Sequence, residues 1–117
     1  MADYRAGQIV IADWRDALPR EANKPRPAVV IQDDGLFAPP YPNIILVPLT
    51  EDSGLAIPDL AVVIDPTPEN GCAKRCYAVA PFVTATSTAR LRPTQSAITT
   101  EQLGRIRLQV AYAIGIG

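Results

Sequence analysis

The sequence predicts a mainly β fold, a small barrel or sandwich, finished by one C-terminal helix. Three observations lead there. Short apolar runs rich in Val and Ile alternate with breaks rich in Pro and Asp. Proline is frequent, 12 in 117 residues. That is about twice average usage, and it disfavours a helical bundle because the ring removes an N–H and clashes with the preceding turn. Only residues 99–114 carry apolar side chains at sustained three- and four-residue spacing.

Each element has its own signal. Gly7 to Trp14 (GQIVIADW) reads as a first strand, and Ala28 to Gln32 (AVVIQ) as a buried second one. The second is launched by Pro25-Arg26-Pro27, where two prolines restrict the backbone around a single Arg. Asn43 to Leu49 (NIILVPL) is the third, and Pro48 within it, lacking an N–H, is expected near a bulge or an edge. Leu60 to Asp65 forms a fourth strand, stopped by Pro66 and Pro68. Cys76 to Ala85 (CYAVAPFVTA) forms a fifth, broken at Pro81.

The helix begins at Thr99, whose side chain caps it while Gln102 reaches back to complete a capping box; Ile98 before it staples onto Leu103. Leu103, Ile106, Val110 and Ala113 or Ile114 make the core-facing stripe. Gly104 costs this helix about 1 kcal/mol relative to Ala. The long polar loop from Asp16 to Lys24 (DALPREANK) is either functional or merely solvated.

Hydrophobic residues are 48% of the chain and charged ones 20%, the composition of a globular domain rather than a disordered segment. A chain this long buries roughly two-thirds of its unfolded surface, so one domain over residues 1–117 is expected. No apolar run nears the ~18 residues of a membrane span, and no charged-then-apolar leader opens the sequence. Two Cys give no disulfide framework, and the expected location is the cytoplasm. The chain has no His. Ser-His-Asp hydrolysis, Cys-His hydrolysis and His-ligated zinc are therefore excluded within it, leaving Arg, Lys, Thr, Ser, Tyr and carboxylates for any chemistry.

The net charge of −1 hides an asymmetry. Residues 1–70 hold five bases against eleven acids, a net of −6; residues 71–117 hold six bases against Glu101 alone, a net of +5. Such a division fits a basic face for a polyanion or an acidic partner, or two halves that simply interleave on the surface.

Arg26 stands at the junction of the long loop and a buried strand, and a stiffly mounted guanidinium suits bidentate contact with phosphate. An ordinary surface ion pair is the other reading. Thr50, after Pro48-Leu49 and before Glu51-Asp52, either orients a nucleophile at a strand end or caps a turn. Cys72 and Cys76, in C-x3-C spacing, lack the further ligands a zinc site needs and read as reduced thiols. Trp14, Tyr41, Tyr77 and Phe82 can stack on bases, but isolated aromatics in a small barrel are read as core first.

Taken together, these pieces resemble the MazF/PemK (Kid-type) toxins of bacterial toxin–antitoxin pairs. The resemblance rests on the Gly-x-Ile-Val first strand, Glu21 five residues before Arg26-Pro27, and the run Arg-Pro-Ala-Val-Val-Ile-Gln-Asp-Asp ending at Asp33-Asp34. A strand ending Val47-Pro48-Leu49-Thr50, a late strand from Tyr77 to Thr84, the Thr-x-x-Gln cap and the terminal helix extend it over about residues 5–116. It implies an SH3-like barrel of the CcdB/PemK type that dimerises and cleaves single-stranded RNA without a metal or other cofactor. It also implies a cognate antitoxin as partner, and catalytic roles for Arg26 and Thr50. RNA contacts are then expected from Glu21, Lys24, Asp33, Phe82 and Thr84. Three departures stand out: Pro19-Arg20-Glu21-Ala22 where the family has Gly-Ser-Glu-Gln, Ala80-Pro81 in place of an acidic-Gln pair, and the two Cys. Two competing readings remain, a CcdB-like inhibitor of DNA gyrase and an inactive antitoxin-binding homologue. The C-terminal Ile114-Gly115-Ile116-Gly117 lacks the Trp of the gyrase-inhibitor ending.

Overall fold

The computed structural model describes residues 4–14, 25–37 and 41–116. The loop carrying Glu21 and Lys24 lies outside the described residues. Among the described residues seven strands, all antiparallel, precede a single α-helix: β1 (Gln8–Ala12), β2 (Arg26–Val30), β3 (Asn43–Thr50), β4 (Ala61–Ile64), β5 (Cys76–Val79), β6 (Thr84–Ser87), β7 (Leu91–Ala97) and α1 (Thr100–Ala113). Their order is β4-β5-β3-β2-β1-β7, with β6 also pairing β3. The mainly β architecture with one terminal helix is the fold class expected.

Alternation along the strands divides the apolar residues into two layers. Ile9, Val29, Val47 and Leu49 join Val62 and Ile64 of β4 on the side that α1 covers with Leu103 and Ile106. Val10, Ala28, Val30, Ile44 and Leu46 face the other way, onto Trp14 and Leu91. Because β2 is covered on both faces, its apolar run is continuous, as the sequence suggested. The Trp14 indole N–H donates to Thr86 Oγ1 at 2.9 Å, which satisfies the polar atoms this layer buries.

The run Cys76–Ala85 is not one strand. β5 ends at Val79, a 3-10 turn occupies Ala80–Phe82 with Pro81 inside it, and β6 starts at Thr84. β5 sets Ala78 opposite Leu49, and a continuous strand would set Pro81 opposite Leu46. The observed partner of Leu46 is Thr84, three residues later. The turn thus inserts one extra turn's length against β3. Pro48 sits where that edge of β3 passes from β6 to β5, in the gap between the two ladders, so its missing N–H breaks neither.

β7 was not legible as a strand. Its sequence, LRPTQSA, is polar and Pro-containing, and most of its side chains face solvent. It is an edge strand that exists because β1 offers a ladder, with a register shift between Gln8 and Val10 that accommodates Pro93. Its far end meets the loop after β4, where Ala97 N–H donates to Glu69 O at 3.0 Å. The two ends of the strand order are thereby drawn together, closing the sheet toward a barrel.

The helix forms as its local signals dictate. Thr99 Oγ1 accepts from Gln102 N–H and Gln102 Oε1 accepts from Thr99 N–H, both at 3.0 Å. Ile98 and Leu103 share one apolar cluster, as a staple requires. The buried stripe stops sooner than expected: Leu103 and Ile106 are buried and Val110 partly so, while Ala113 and Ile114 are exposed. Arg107 fastens the helix to the sheet through Ile31 O at 2.9 Å and Gln32 O at 3.0 Å.

Candidate active site

Arg26 and Thr50 line one cleft of about 600 Å³. The β2–β3 ladder explains their proximity. Ala28 pairs with Pro48, and Arg26 and Thr50 stand two residues beyond that pair on their respective strands. Arg26 is half-buried and lies opposite Ala12 of β1; Thr50, also half-buried, lies opposite Tyr77 of β5. Apolar side chains of Ile9, Ile11, Pro27 and Leu49 floor the cleft, and Thr94 and Ser96 of β7 form one wall.

Thr50 has a local duty. Its Oγ1 accepts from Asp52 N–H at 3.1 Å, while the Asp52 carboxylate accepts from Gly54 N–H at 2.8 Å and caps a 3-10 turn at Ser53–Leu55. A threonine hydroxyl has one donor and two lone pairs, so this bond leaves its proton and one lone pair to face the cleft. Glu51 and Asp52 also line the cleft, opposed in charge to Arg26 and Lys74.

The remaining wall is the loop from Asn70 to Lys74. Asn70 is buried and holds it together: Oδ1 accepts from Thr67 N–H at 3.0 Å and from Cys72 N–H at 2.9 Å, and Nδ2 donates to Asp65 O at 2.8 Å. Gly71 adopts φ +65°, and a Cβ there would lie 2.8 Å from Ser96 Oγ. Only glycine fits that approach without strain. Cys72 Sγ and Cys76 Sγ are 3.6 Å apart. Burial, and then the hydrogen bond with Cys72, push the Cys76 thiol up to about 12. Arg75 turns away to Asp65, Nε to Oδ1 at 2.6 Å, and that partner raises its pKa further.

Of the other expected site residues, the described ones, Asp33, Phe82 and Thr84, are not gathered here. Asp33 is exposed and accepts from Gly35 N–H at 2.6 Å, building the turn after β2. Phe82, in the 3-10 turn, and Thr84, in β6, are exposed and do not line the cleft. Of the aromatics read as core, Trp14 is buried; Tyr41 and Phe82 are about half exposed, and Tyr41 packs edge-on against Phe37 at 5.0 Å. The basic C-terminal half is only partly free for a ligand. Arg75, Arg90 and Arg107 bond to Asp65, the Asp13 carbonyl and the β2 end respectively, whereas Lys74 faces the cleft. Lys74, Thr94 and Ser96 were missed as site residues. The Asn70-Gly71 dipeptide, a turn signal shortly before the basic pair Lys74-Arg75, was the one local clue.

A closed antiparallel sheet with a terminal helix, and an Arg–Thr cleft at the end of its central hairpin, define a small β-barrel domain with one candidate site. The chain belongs to the PemK-like, MazF-like toxin family of type II toxin–antitoxin systems, whose family model matches residues 5–114. Solved structures agree on the fold. The Mycobacterium tuberculosis toxin MazF-mt6 is 17% identical with a TM-score of 0.70, the match covering 94% of this chain and 98% of that one. MazF from Deinococcus radiodurans is 17% identical with a TM-score of 0.70, covering 97% and 100%. An endoribonuclease in complex with its cognate antitoxin, from a mycobacterial species, is 16% identical with a TM-score of 0.74, covering 99% and 98%. No curated protein sequence matches.

Proposed function

We propose that this chain is an endoribonuclease toxin that cleaves single-stranded RNA at short sequences, acts as a homodimer in the cytoplasm, and is neutralised by a cognate antitoxin. The observation that supports this most is the meeting of Arg26 and Thr50 in one cleft of a PemK/MazF-family chain. Solved relatives are described as an endoribonuclease bound to its cognate antitoxin and as MazE-MazF complexes, which supports the antitoxin as partner.

The chemistry follows from the groups present. The ribose 2′-OH attacks the adjacent phosphorus and the P–O5′ bond breaks, leaving a 2′,3′-cyclic phosphate and a 5′-OH. Charge grows on the non-bridging oxygens in the transition state, and Arg26, mounted on the stiff Pro25-Arg26-Pro27 segment, offers a fork of donors to it. The Thr50 proton and free lone pair position the 2′-OH or a non-bridging oxygen. Lys74 adds a second cation along the RNA path. Glu21 and Lys24 of the preceding loop, with Asp33, Phe82 and Thr84 farther out, contact flanking nucleotides. The internal nucleophile needs neither His nor a metal-activated water.

Incubation with a long mixed RNA in EDTA, followed by mapping of cut sites and end groups, tests this reading. Discrete cuts with 5′-OH ends are expected. Intact RNA together with inhibition of gyrase in a supercoiling assay would overturn it.

A further inference from the structure

Two side chains of the cleft wall have no part in the proposed cleavage. Cys72 Sγ and Cys76 Sγ lie 3.6 Å apart, and a disulfide needs about 2.05 Å. Besides the other thiol, each sulfur has a backbone carbonyl within reach. Cys72 Sγ reaches Asn70 O and Cys76 Sγ reaches Ile64 O, both at 3.8 Å. Their surroundings differ. Both line the cleft, but Cys72 is half-buried, whereas Cys76 opens β5, pairs with Ile64 and is only 5% exposed.

We propose that Cys72 and Cys76 are a reversible dithiol–disulfide site in the wall of the cleft, taking hydrogen peroxide as oxidant. Cys72, the accessible partner, attacks as thiolate; the peroxide O–O bond breaks, a sulfenic acid forms on Cys72, and hydroxide leaves to become water. Cys76 then loses its proton and attacks the Cys72 sulfur, the S–O bond breaks, and a second water departs. Two thiols lose two electrons and two protons, and one peroxide is reduced to two waters. The raised pKa of Cys76 fits the resolving role, because a thiol held protonated is the slower nucleophile.

The geometry also says what the bond moves. Cys76 is held by its ladder with β4, and Cys72 by the buried Asn70 side chain and by Gly71 packed against Ser96. With both ends fixed, Ala73, Lys74 and Arg75 take up the contraction. Lys74 is a cleft cation, so oxidation shifts a phosphate contact; this consequence rests on the RNA-cleavage reading, while the disulfide site itself does not.

The test treats the whole purified protein with stoichiometric hydrogen peroxide in the absence of RNA. Loss of both free thiols is expected, with an intact mass lower by two hydrogens, one Cys72–Cys76 cross-linked peptide, and recovery in dithiothreitol. In Cys76→Ser, dimedone should trap a sulfenic acid on Cys72; Cys72→Ser should give no intramolecular bond. Thiols that remain free, or cross-links only between chains, would overturn the site whether or not RNA is cut. The oxidised protein should cleave RNA with kcat/KM about tenfold lower, the size of one lost charge-assisted contact. An unchanged rate in fully cross-linked protein would overturn the control of the cleft. RNA left uncut by both forms would instead refute the cleavage reading and leave the thiol result standing.

Discussion

Replacing Thr50 by Val separates the two duties of its hydroxyl. Volume is almost unchanged, so what is lost is the bond from Asp52 N–H at 3.1 Å and the group presented to the cleft. Asp52 is exposed, and water replaces the acceptor for its N–H. The stability loss should therefore be about 0.5–1 kcal/mol, the net worth of one such bond. For a chain of this size that lowers Tm by about 4 °C. Domains typically start with 5–15 kcal/mol, so even the low end leaves about 99.9% of molecules folded at 25 °C. A stability effect alone thus leaves the cleavage rate where it was. If the hydroxyl positions the reacting group, kcat should fall ~10²-fold, equivalent to about 2.7 kcal/mol of transition-state stabilisation. The assay pairs thermal unfolding by circular dichroism with single-turnover cleavage of a mapped RNA site. Thr50→Ser should restore both quantities. A variant that melts a few degrees lower yet cuts at the normal rate would show that Thr50 is a turn cap and nothing more.

Other outcomes are expected by the same reasoning. Arg26→Ala should reduce cleavage by ~10²-fold or more with the fold intact, and Arg26→Lys should rescue poorly because a point charge lacks the fork; near-normal cutting by Arg26→Ala refutes the role. A deoxyribose placed 5′ to the cut should block the reaction while EDTA does not, and a cut leaving 5′-phosphate would rule out 2′-OH attack. Gly71→Ala should cost about 1–2 kcal/mol for its φ of +65°, with an added clash at Ser96 Oγ. Combining it with Ser96→Ala should relieve the clash and not the backbone strain, so full recovery of Tm in the double variant would contradict the assignment. Cys76 has its folded pKa raised from 9.0 to about 12, so the folded state keeps a proton that the unfolded chain sheds. Stability from this group is complete below pH 9 and declines as pH rises toward 12, and Cys76→Ala should show a flatter decline than the wild type in unfolding titrations.

How much of this was legible depended on whether the cause was local. The capping box at Thr99 and Gln102 was readable because four consecutive residues contain all of it. The both-sided burial of β2 was readable from an unbroken apolar run. β7 was not, because its pairing depends on the edge of β1 rather than on any pattern of its own. Pro81 signalled a break, but the transfer from one stretch of β3 to another is a property of the partner strand. Arg26 and Thr50 were singled out for their strand-end settings. That they share a cleft follows from the β2–β3 register, which the intervening residues do not encode locally. Lys74 was invisible as a site residue, since a lysine in a polar loop looks the same whether or not a wall closes behind it.

The joint between Ala97 N–H and Glu69 O, with Ser96 seated against Gly71, bears on how the protein is born. During translation Arg26 and Thr50 emerge early and their hairpin can pair. The pocket between them still lacks its far side until Thr94 and Ser96 have left the ribosome, and the sheet has no lid over Ile9 and Val29 until Leu103 and Ile106 follow. A ribosome that stalls or releases its chain before β7 therefore yields Arg26 and Thr50 on an open sheet with no enclosing cleft. The pocket is complete only once β7 is in place, so products cut short before it carry the two residues without that enclosure.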